Sequence, residues 1–295
     1  MWQAEALSLA GRRDRRVASQ RAVSGGCVSD TSVWTLDNGE RIFAKVESIQ
    51  RFAMLAAEAD GLRAIAATGT IKVPEVLAAG TDAATGRAFL LTQFIETERP
   101  SAGFQQRFGQ QLARLHSCNV PRPEFGWPDD NFIGSTPQPN GWCQSWVGFF
   151  SQQRLRYQWE LLEKQGLRTS SLRKLVPKII QQLPELLSKT DPQPALIHGD
   201  LWSGNYLCDT LGQPVLIDPA CYQADREAEF GMLLFLGGCG AEFFTAYHQA
   251  YPLQPQWQQR ASVYQLYHLL NHANLFGAGY LDQCEQMAKC VLVGR

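Results

Sequence analysis

The sequence predicts an α+β fold in two parts, a small antiparallel sheet within residues 1–95 and a mainly helical part within residues 96–295. Alternating apolar residues on both sides of an Asp-Asn-Gly turn at 37–39 indicate a β-hairpin in the first part. Apolar side chains at helical spacing recur through the second part. A chain of 295 residues with 45% hydrophobic content is long enough to bury a core in each part.

A glycine-rich turn comes before the hairpin. Gly25 and Gly26 lack a Cβ, so the backbone N–H groups of this turn could approach phosphates closely, although paired glycines also mark ordinary turns. Cys27 follows in the same loop. We expect it to be either a redox-sensitive thiol that forms a disulfide between two chains or an inert loop thiol.

The hairpin strands are predicted over residues 32–36 and 41–46. Because side chains alternate between the two faces of a strand, Lys45 lies on the same face as Phe43 and opposite Ile42 and Ala44. Lys45 is therefore either a solvated lysine on an exposed sheet face or a side chain that binds nucleotide phosphates.

A helix is predicted over residues 51–68, where apolar residues recur at helical spacing. Glu58 lies three residues after Leu55 and four before Leu62, so it faces inward with the apolar stripe. A buried carboxylate is costly unless it is paired, and Lys45 is its natural partner. The alternative is a glutamate at the edge of the stripe that reaches water.

Two further strands are predicted over residues 71–79 and 88–95, which are largely apolar. The second strand ends in Gln93, Phe94 and Ile95. We interpret these residues as a hinge whose backbone binds adenine. This interpretation follows from their order along the chain alone.

An acid, an amide and a second acid follow in the second part of the chain. Asp200 precedes Asn205 by four intervening residues, and Asp218 closes the apolar run Val215–Ile217. Phosphotransferases of the kinase type use this order for a catalytic Asp, a metal-binding Asn and a metal-binding Asp. The alternative is a strand–turn–strand unit with solvated turn residues and no chemistry.

Longer motifs surround these three residues. They are His198–Asn205, Asp218–Ala220, Phe125–Trp127, Asn131–Asn140 and Arg226–Met232. Together they resemble the fructosamine kinase (ketosamine-3-kinase) family over nearly the whole chain. The resemblance implies a two-lobed protein-kinase-like fold, with a small antiparallel-sheet N-lobe and a mainly helical C-lobe, which aminoglycoside phosphotransferases share.

The activity implied by the resemblance is ATP-dependent phosphorylation of the 3-hydroxyl of a ketosamine, either a small molecule or an adduct on a glycated protein. No Phe-Gly follows Asp218, and no Ala-Pro-Glu segment is visible before a helix that we predict over residues 224–237. A docking platform for peptide side chains is therefore not expected. An aminoglycoside-type kinase and a nucleotide-binding scaffold without catalysis are the two alternatives.

The resemblance also implies residue roles. Asp200 would accept the proton of the hydroxyl, Asn205 and Asp218 would hold Mg2+, and Lys45 with Glu58 would position the phosphates of ATP. Trp202 would line the sugar site, since an aromatic face suits the apolar side of a sugar ring, with plain core packing as the alternative.

Composition excludes several classes of protein. The 27 Lys and Arg residues balance 28 Asp and Glu residues, which argues against a nucleic-acid surface. No apolar stretch has membrane-spanning length and no signal-peptide core is visible, so we expect a cytoplasmic enzyme without a membrane partner. The 8 cysteines include no Cys-x-x-Cys pair, so the sequence indicates neither zinc nor a disulfide framework. A monomer or a homodimer is compatible with these features.

Overall fold

The computed structural model describes residues 2–23, 30–187 and 191–293, and Gly25, Gly26 and Cys27 lie outside them. In chain order the strands are β1 (Val17–Ala22), β2 (Asp30–Leu36), β3 (Arg41–Ser48), β4 (Val76–Asp82), β5 (Arg87–Gln93), β6 (Asn131–Ile133), β7 (Thr136–Gln138), β8 (Ala195–Ile197), β9 (Tyr206–Cys208), β10 (Pro214–Leu216) and β11 (Tyr222–Ala224). The α-helices are α1 (Trp2–Leu9), α2 (Phe52–Thr68), α3 (Phe104–Ser117), α4 (Trp146–Phe149), α5 (Tyr157–Lys164), α6 (Leu172–Leu186), α7 (Glu229–Leu236), α8 (Ala241–Ala250), α9 (Trp257–Phe276) and α10 (Leu281–Val293).

A five-stranded antiparallel sheet forms the centre of the first part of the chain, with the strand order β1-β2-β3-β5-β4. The predicted hairpin is β2–β3, in which Trp34 lies opposite Ile42. The predicted strand over residues 71–79 begins only at Val76. Pro74 explains the delay, because proline has no N–H for a ladder and restricts the residue before it.

Each face of this sheet is covered by a helix, because apolar residues alternate along β5. Phe89 and Leu91 belong to the core cluster that contains α1, whereas Ala88 and Leu90 pack with α2. Burying a side chain the size of Leu or Phe contributes about 1.5–3 kcal/mol, so both helices stabilise the sheet. The sequence analysis did not predict α1.

A β9–β10 hairpin joins this same compact unit, although it comes more than a hundred residues later in the chain. The N–H of Leu216 donates to the carbonyl of Lys72 at 2.9 Å, and the N–H of Glu98 donates to the carbonyl of Cys208 at 3.0 Å. Lys72 Nζ also forms a 2.8 Å ion pair with the buried carboxylate of Asp209. Backbone and side-chain contacts therefore hold both strands of the hairpin.

The chain divides into two compact units. The first comprises Met1–Phe104 and Gly204–Ala220, and the second comprises Gln105–Ser203 and Cys221–Arg295. The division expected from sequence lies at residue 95 and places residues 204–220 with the helical part. The two divisions differ mainly in the β9–β10 hairpin.

The second unit is mainly helical, as predicted. Helix α9 packs against α5, α7 and α10, and α10 packs against α6. Aromatic side chains such as Trp146, Phe150 and Tyr264 fill the core between them, with ring centroids 5.1–5.9 Å apart. Among the described helices, none is both long enough and apolar enough to cross a lipid bilayer.

The helix that we predicted over residues 224–237 is wrong at its start. Residues up to Ala224 form β11, which pairs with β8, and a 3-10 turn over Arg226–Ala228 follows. The side chain of Asp225 caps this turn by accepting the N–H of Glu227 at 2.9 Å. Helix α7 therefore begins at Glu229, and strand pairing outweighs the helical pattern before it.

We expect Leu7→Ala to lower the free energy of unfolding by about 2–4 kcal/mol, because Leu7 is 1% exposed in the core beneath the sheet. Leu9→Ala is the matched control, since Leu9 lies in the same helix and is 57% exposed. It should change the free energy by less than about 0.5 kcal/mol. Chemical denaturation of both variants tests this prediction. A loss for Leu7→Ala as small as that of the control would show that α1 does not stabilise the sheet.

Candidate active site

Lys45 forms the centre of the polar cluster in the first unit. Its Nζ lies 2.8 Å from Glu58 Oε2 and 2.8 Å from Asp218 Oδ1. Strand β3 carries Lys45, helix α2 carries Glu58, and the chain after β10 carries Asp218. The ion pair predicted between Lys45 and Glu58 is confirmed, and Asp218 proves to be a second partner of the same ammonium group.

Burial and charge oppose each other in this cluster. Burial alone would lower the pKa of Lys45, but the charges and hydrogen bonds of Glu58 and Asp218 outweigh it and raise that pKa. Burial raises the pKa of Glu58 above its usual value, although the ammonium group of Lys45 opposes this shift. Two carboxylates thus share one ammonium group.

Asn205 and Asp218 are brought together by the β9–β10 hairpin. Tyr206 lies opposite Leu216 in its register, and the N–H of Ile217 donates to the carbonyl of Asn205 at 3.0 Å. Asp218 is the next residue after Ile217. Its φ of 56° lies in the left-handed region that non-glycine residues seldom adopt. Such strain often accompanies a functional side chain, because the surrounding structure must impose it.

The donor set around Asp218 fits Mg2+. This ion prefers oxygen ligands and is usually held by one or two carboxylates together with nucleotide phosphates and water. Asn205 and Asp218 offer an amide oxygen and a carboxylate, and Asp218 keeps 35% of its side chain exposed. Within the described part of the chain there is no cluster of three or more His, Cys, Asp or Glu side chains suited to a metal held by protein alone.

The predicted hinge lies at the end of β5. The N–H of Gln93 donates to the carbonyl of Glu75 at 2.8 Å, so the sheet already uses this donor. Ile95 is buried, and the guanidinium carbon of Arg41 lies 4.6 Å from the centroid of the Phe94 ring. The sequence analysis did not predict this contact between Arg41 and Phe94. Adenine recognition by the hinge stays a prediction, in which Gln93 can take part only through its carbonyl group.

The second unit carries the loop that follows β8, in which the sequence analysis places the candidate base Asp200. The N–H of Asp200 donates to the ring Nδ1 of His198 at 3.3 Å, and Gly199 between them has a φ of 83°. His198 thus braces the loop through a contact with the backbone. Trp202 is partly buried, which is compatible both with a place in the sugar site and with core packing.

Comparison with known proteins complements this geometry. The model of the family described as fructosamine kinase matches residues 1–293. This chain belongs to the fructosamine kinase family. Membership makes it an ATP-dependent phosphotransferase that acts on a hydroxyl group.

Relatives in other organisms cover almost the whole chain. A protein of Synechocystis sp. described as a probable ketoamine kinase is 42% identical over 290 residues, which are 98% of this chain and 96% of the relative. A chloroplastic protein-ribulosamine 3-kinase of Oryza sativa subsp. indica is 38% identical over 265 residues, 90% of this chain and 76% of its own.

Solved structures agree with the fold. A Thermobifida fusca protein, described provisionally as a fructosamine-3-kinase, superposes with a TM-score of 0.86 at 30% identity and covers 98% of this chain and 97% of its own. An aminoglycoside phosphotransferase superposes with a TM-score of 0.67 at 16% identity, over 98% of this chain and 99% of its own. The likeness to the aminoglycoside phosphotransferase concerns the fold alone. Together the two superpositions confirm the predicted two-lobed, protein-kinase-like fold.

We expect Glu58→Gln to weaken MgATP binding by about 10-fold, because a neutral amide loses the charge-assisted hydrogen bond that holds Lys45. Asp60→Asn is the matched control, since Asp60 lies on the same helix and forms an exposed pair with Arg63. Isothermal titration calorimetry should show near-normal binding for the control. Equal affinities for wild type and Glu58→Gln would rule out a role of this pair in nucleotide binding.

Proposed function

We propose that this member of the fructosamine kinase family phosphorylates the 3-hydroxyl of ketosamines such as fructosamine or ribulosamine, free or on a glycated protein. The observation that carries the proposal is the Lys45 ammonium held by both Glu58 and Asp218. A lysine fixed in this way suits nucleotide phosphates, because its position is set before the ligand binds.

The chain's own residues have distinct tasks in this proposal. Asp200 accepts the proton of the sugar hydroxyl, and His198 orients the loop that carries it. Lys45 binds phosphate oxygens, while Glu58 keeps the lysine in place. Bound MgATP supplies the phosphoryl group and a metal charge that offsets the negative charge of the transferring phosphate.

Other residues hold the ligands. Asn205 and Asp218 are the proposed ligands of Mg2+, and their amide and carboxylate oxygens support this role. The ring of Trp202 packs against the apolar side of the sugar. We also propose that Gly25 and Gly26 contact the phosphates, although both lie outside the described residues.

Cellular location and assembly remain predictions. A cytoplasmic location is expected from the sequence, whereas the Oryza sativa relative is described as chloroplastic. A monomer and a homodimer are both compatible with the described residues. The redox role proposed for Cys27 falls on a residue that the structure does not describe.

We expect ATP consumption with a ketosamine panel, which should include fructose-lysine, ribulose-lysine and a glycated protein. A parallel panel of polycationic aminoglycosides should give no turnover above background. Phosphorus and carbon NMR of the product should place the new phosphate on the 3-oxygen. Turnover confined to the aminoglycosides would favour the alternative kinase, and no turnover on either panel would favour a scaffold.

Asp200→Asn provides the control for catalysis. An amide cannot accept the proton, so kcat should fall by about 100- to 10,000-fold while the KM for ATP changes little. Wild-type turnover in this variant would show that Asp200 is not the base.

A further inference from the structure

An exposed apolar patch lies at the ends of α7 and α9. Leu234 and Leu236 are 41% and 37% exposed, one on each side of Phe235 in the last turn of α7. Phe276, the last residue of α9, is 52% exposed. Of the six large hydrophobic side chains that are exposed in the described part of the chain, three are therefore found here. We call Leu234, Phe235, Leu236 and Phe276 the α7–α9 patch.

The ring of His272 connects the two helices beneath the patch. Its centroid lies 4.9 Å from that of Phe235 and 5.5 Å from that of Phe276. Its Nδ1 lies 2.9 Å from the carbonyl of His268 and carries a proton, because a carbonyl can only accept. Burial lowers the pKa of His272, although the bond to His268 opposes this shift. The ring is therefore neutral near pH 7, and the patch rests on an uncharged side chain.

The segments that form the patch are free of charged residues. Residues 230–241 and 269–281 contain no Asp, Glu, Lys or Arg. A charged group placed on this surface would lose water without gaining a countercharge from either segment, which is costly. An apolar group loses nothing in this way, and its burial is favourable. The chemistry of the patch therefore suits an apolar ligand.

The patch is fixed beside the loop that follows β8. The N–H of Ser203 donates to the carbonyl of Gly237, the residue after α7, at 3.2 Å. A Cβ on Gly238 would lie 2.8–2.9 Å from atoms of Ser203, and its φ of 122° also favours glycine. The end of α7 thus lies directly against the residue that follows Trp202.

A second contact holds the same turn from α3. The side-chain amide of Gln105 donates to the carbonyl of Gly238 at 3.2 Å, and its oxygen accepts the N–H of Gly240 at 3.3 Å. These bonds satisfy backbone groups after the helix end that would otherwise need water. The position of the α7–α9 patch relative to the loop is therefore set by the protein itself.

We propose that the α7–α9 patch binds the apolar part of the amine carrier of a ketosamine, namely the methylene groups attached to its nitrogen. This inference rests on the proposed function, in which the sugar lies against Trp202. A ketosamine carries its amine substituent at one end of the sugar, so the substituent extends onto a surface beside the sugar site. The contact with Ser203 makes the α7–α9 patch such a surface. The patch acts on neither the reacting hydroxyl nor ATP, so its effect belongs in the KM for the ketosamine.

A series of carriers tests the proposal. Fructosamines and ribulosamines made from methylamine, butylamine and hexylamine differ within each series only in the length of the carrier. We expect the KM to fall about 2- to 4-fold for each methylene that packs on the patch, until the patch is covered. The kcat and the KM for ATP should change less than about twofold.

The outcomes of this series separate the two proposals. Turnover with the same KM for all carriers would overturn the inference and leave the proposed function intact. If no ketosamine of either series were turned over, the proposed function would be refuted, and this inference with it.

Phe276→Ala should remove the dependence on carrier length. We expect the KM for the hexylamine compound to rise about 5- to 10-fold, while the KM for the methylamine compound stays within about twofold of wild type. Leu236→Ala is the second test variant if Phe276→Ala does not fold. Leu211→Ala is the matched control, since Leu211 is 79% exposed between β9 and β10 and outside the patch. An equal rise for both carriers in Phe276→Ala would indicate a general effect and overturn the inference.

A second copy of this chain is the competing occupant of the patch. Sedimentation velocity over a wide range of protein concentration distinguishes the two. A monomer, or a dimer that Phe276→Ala leaves intact, supports binding of the carrier. A dimer that dissociates in Phe276→Ala but not in Leu211→Ala would show that the patch is an interface between copies, and it would overturn the inference.

Discussion

The ammonium group of Lys45 is bonded to two carboxylates from distant parts of the chain, and the rest of the first unit is arranged around it. Glu58 can approach it only because α2 packs on one face of the sheet through Leu55 and Ala59. Asp218 can approach it only because the β9–β10 hairpin is attached to residue 72. A buried ion pair adds little net stability on its own, since desolvation offsets much of the attraction. The ion pair therefore serves mainly to fix the position of the Lys45 ammonium group. Apolar packing supplies most of the stability of the elements that carry it.

Much of this site follows from periodicity. Alternation along β3 and the spacing of Leu55, Glu58 and Leu62 are local patterns, so they predicted which faces of the strand and helix would meet. The assignment of Asp200, Asn205 and Asp218 rests instead on their order along the chain, which matches a kinase motif. Residue spacing within one element is physically determined by 3.6 residues per helical turn and two per strand repeat.

Features that depend on contacts between distant segments were not predictable in this way. Helix α1 is too short to show a clear helical pattern in the sequence. Its apolar side chains pack only against residues of distant strands, such as Trp34 and Phe89. Ala224 was predicted as the first residue of a helix, but it lies in β11, whose partner β8 is distant in the chain. Glu229 accepts hydrogen bonds from the backbone N–H groups of His198 and Gly199. No sequence pattern predicts these contacts, because every residue except proline carries a backbone N–H group.

The attachment of the β9–β10 hairpin has a consequence for attempts to divide the protein. The chain leaves the first unit at Phe104 and returns for residues 204–220 before leaving again. A fragment that stopped at Phe104 would lack the strands that contact Lys72 and Glu98, and it would also lack Asp218. Expression of two consecutive fragments would therefore leave the first unit incomplete. A rearranged gene would have to join the hairpin to the first fragment through a new linker.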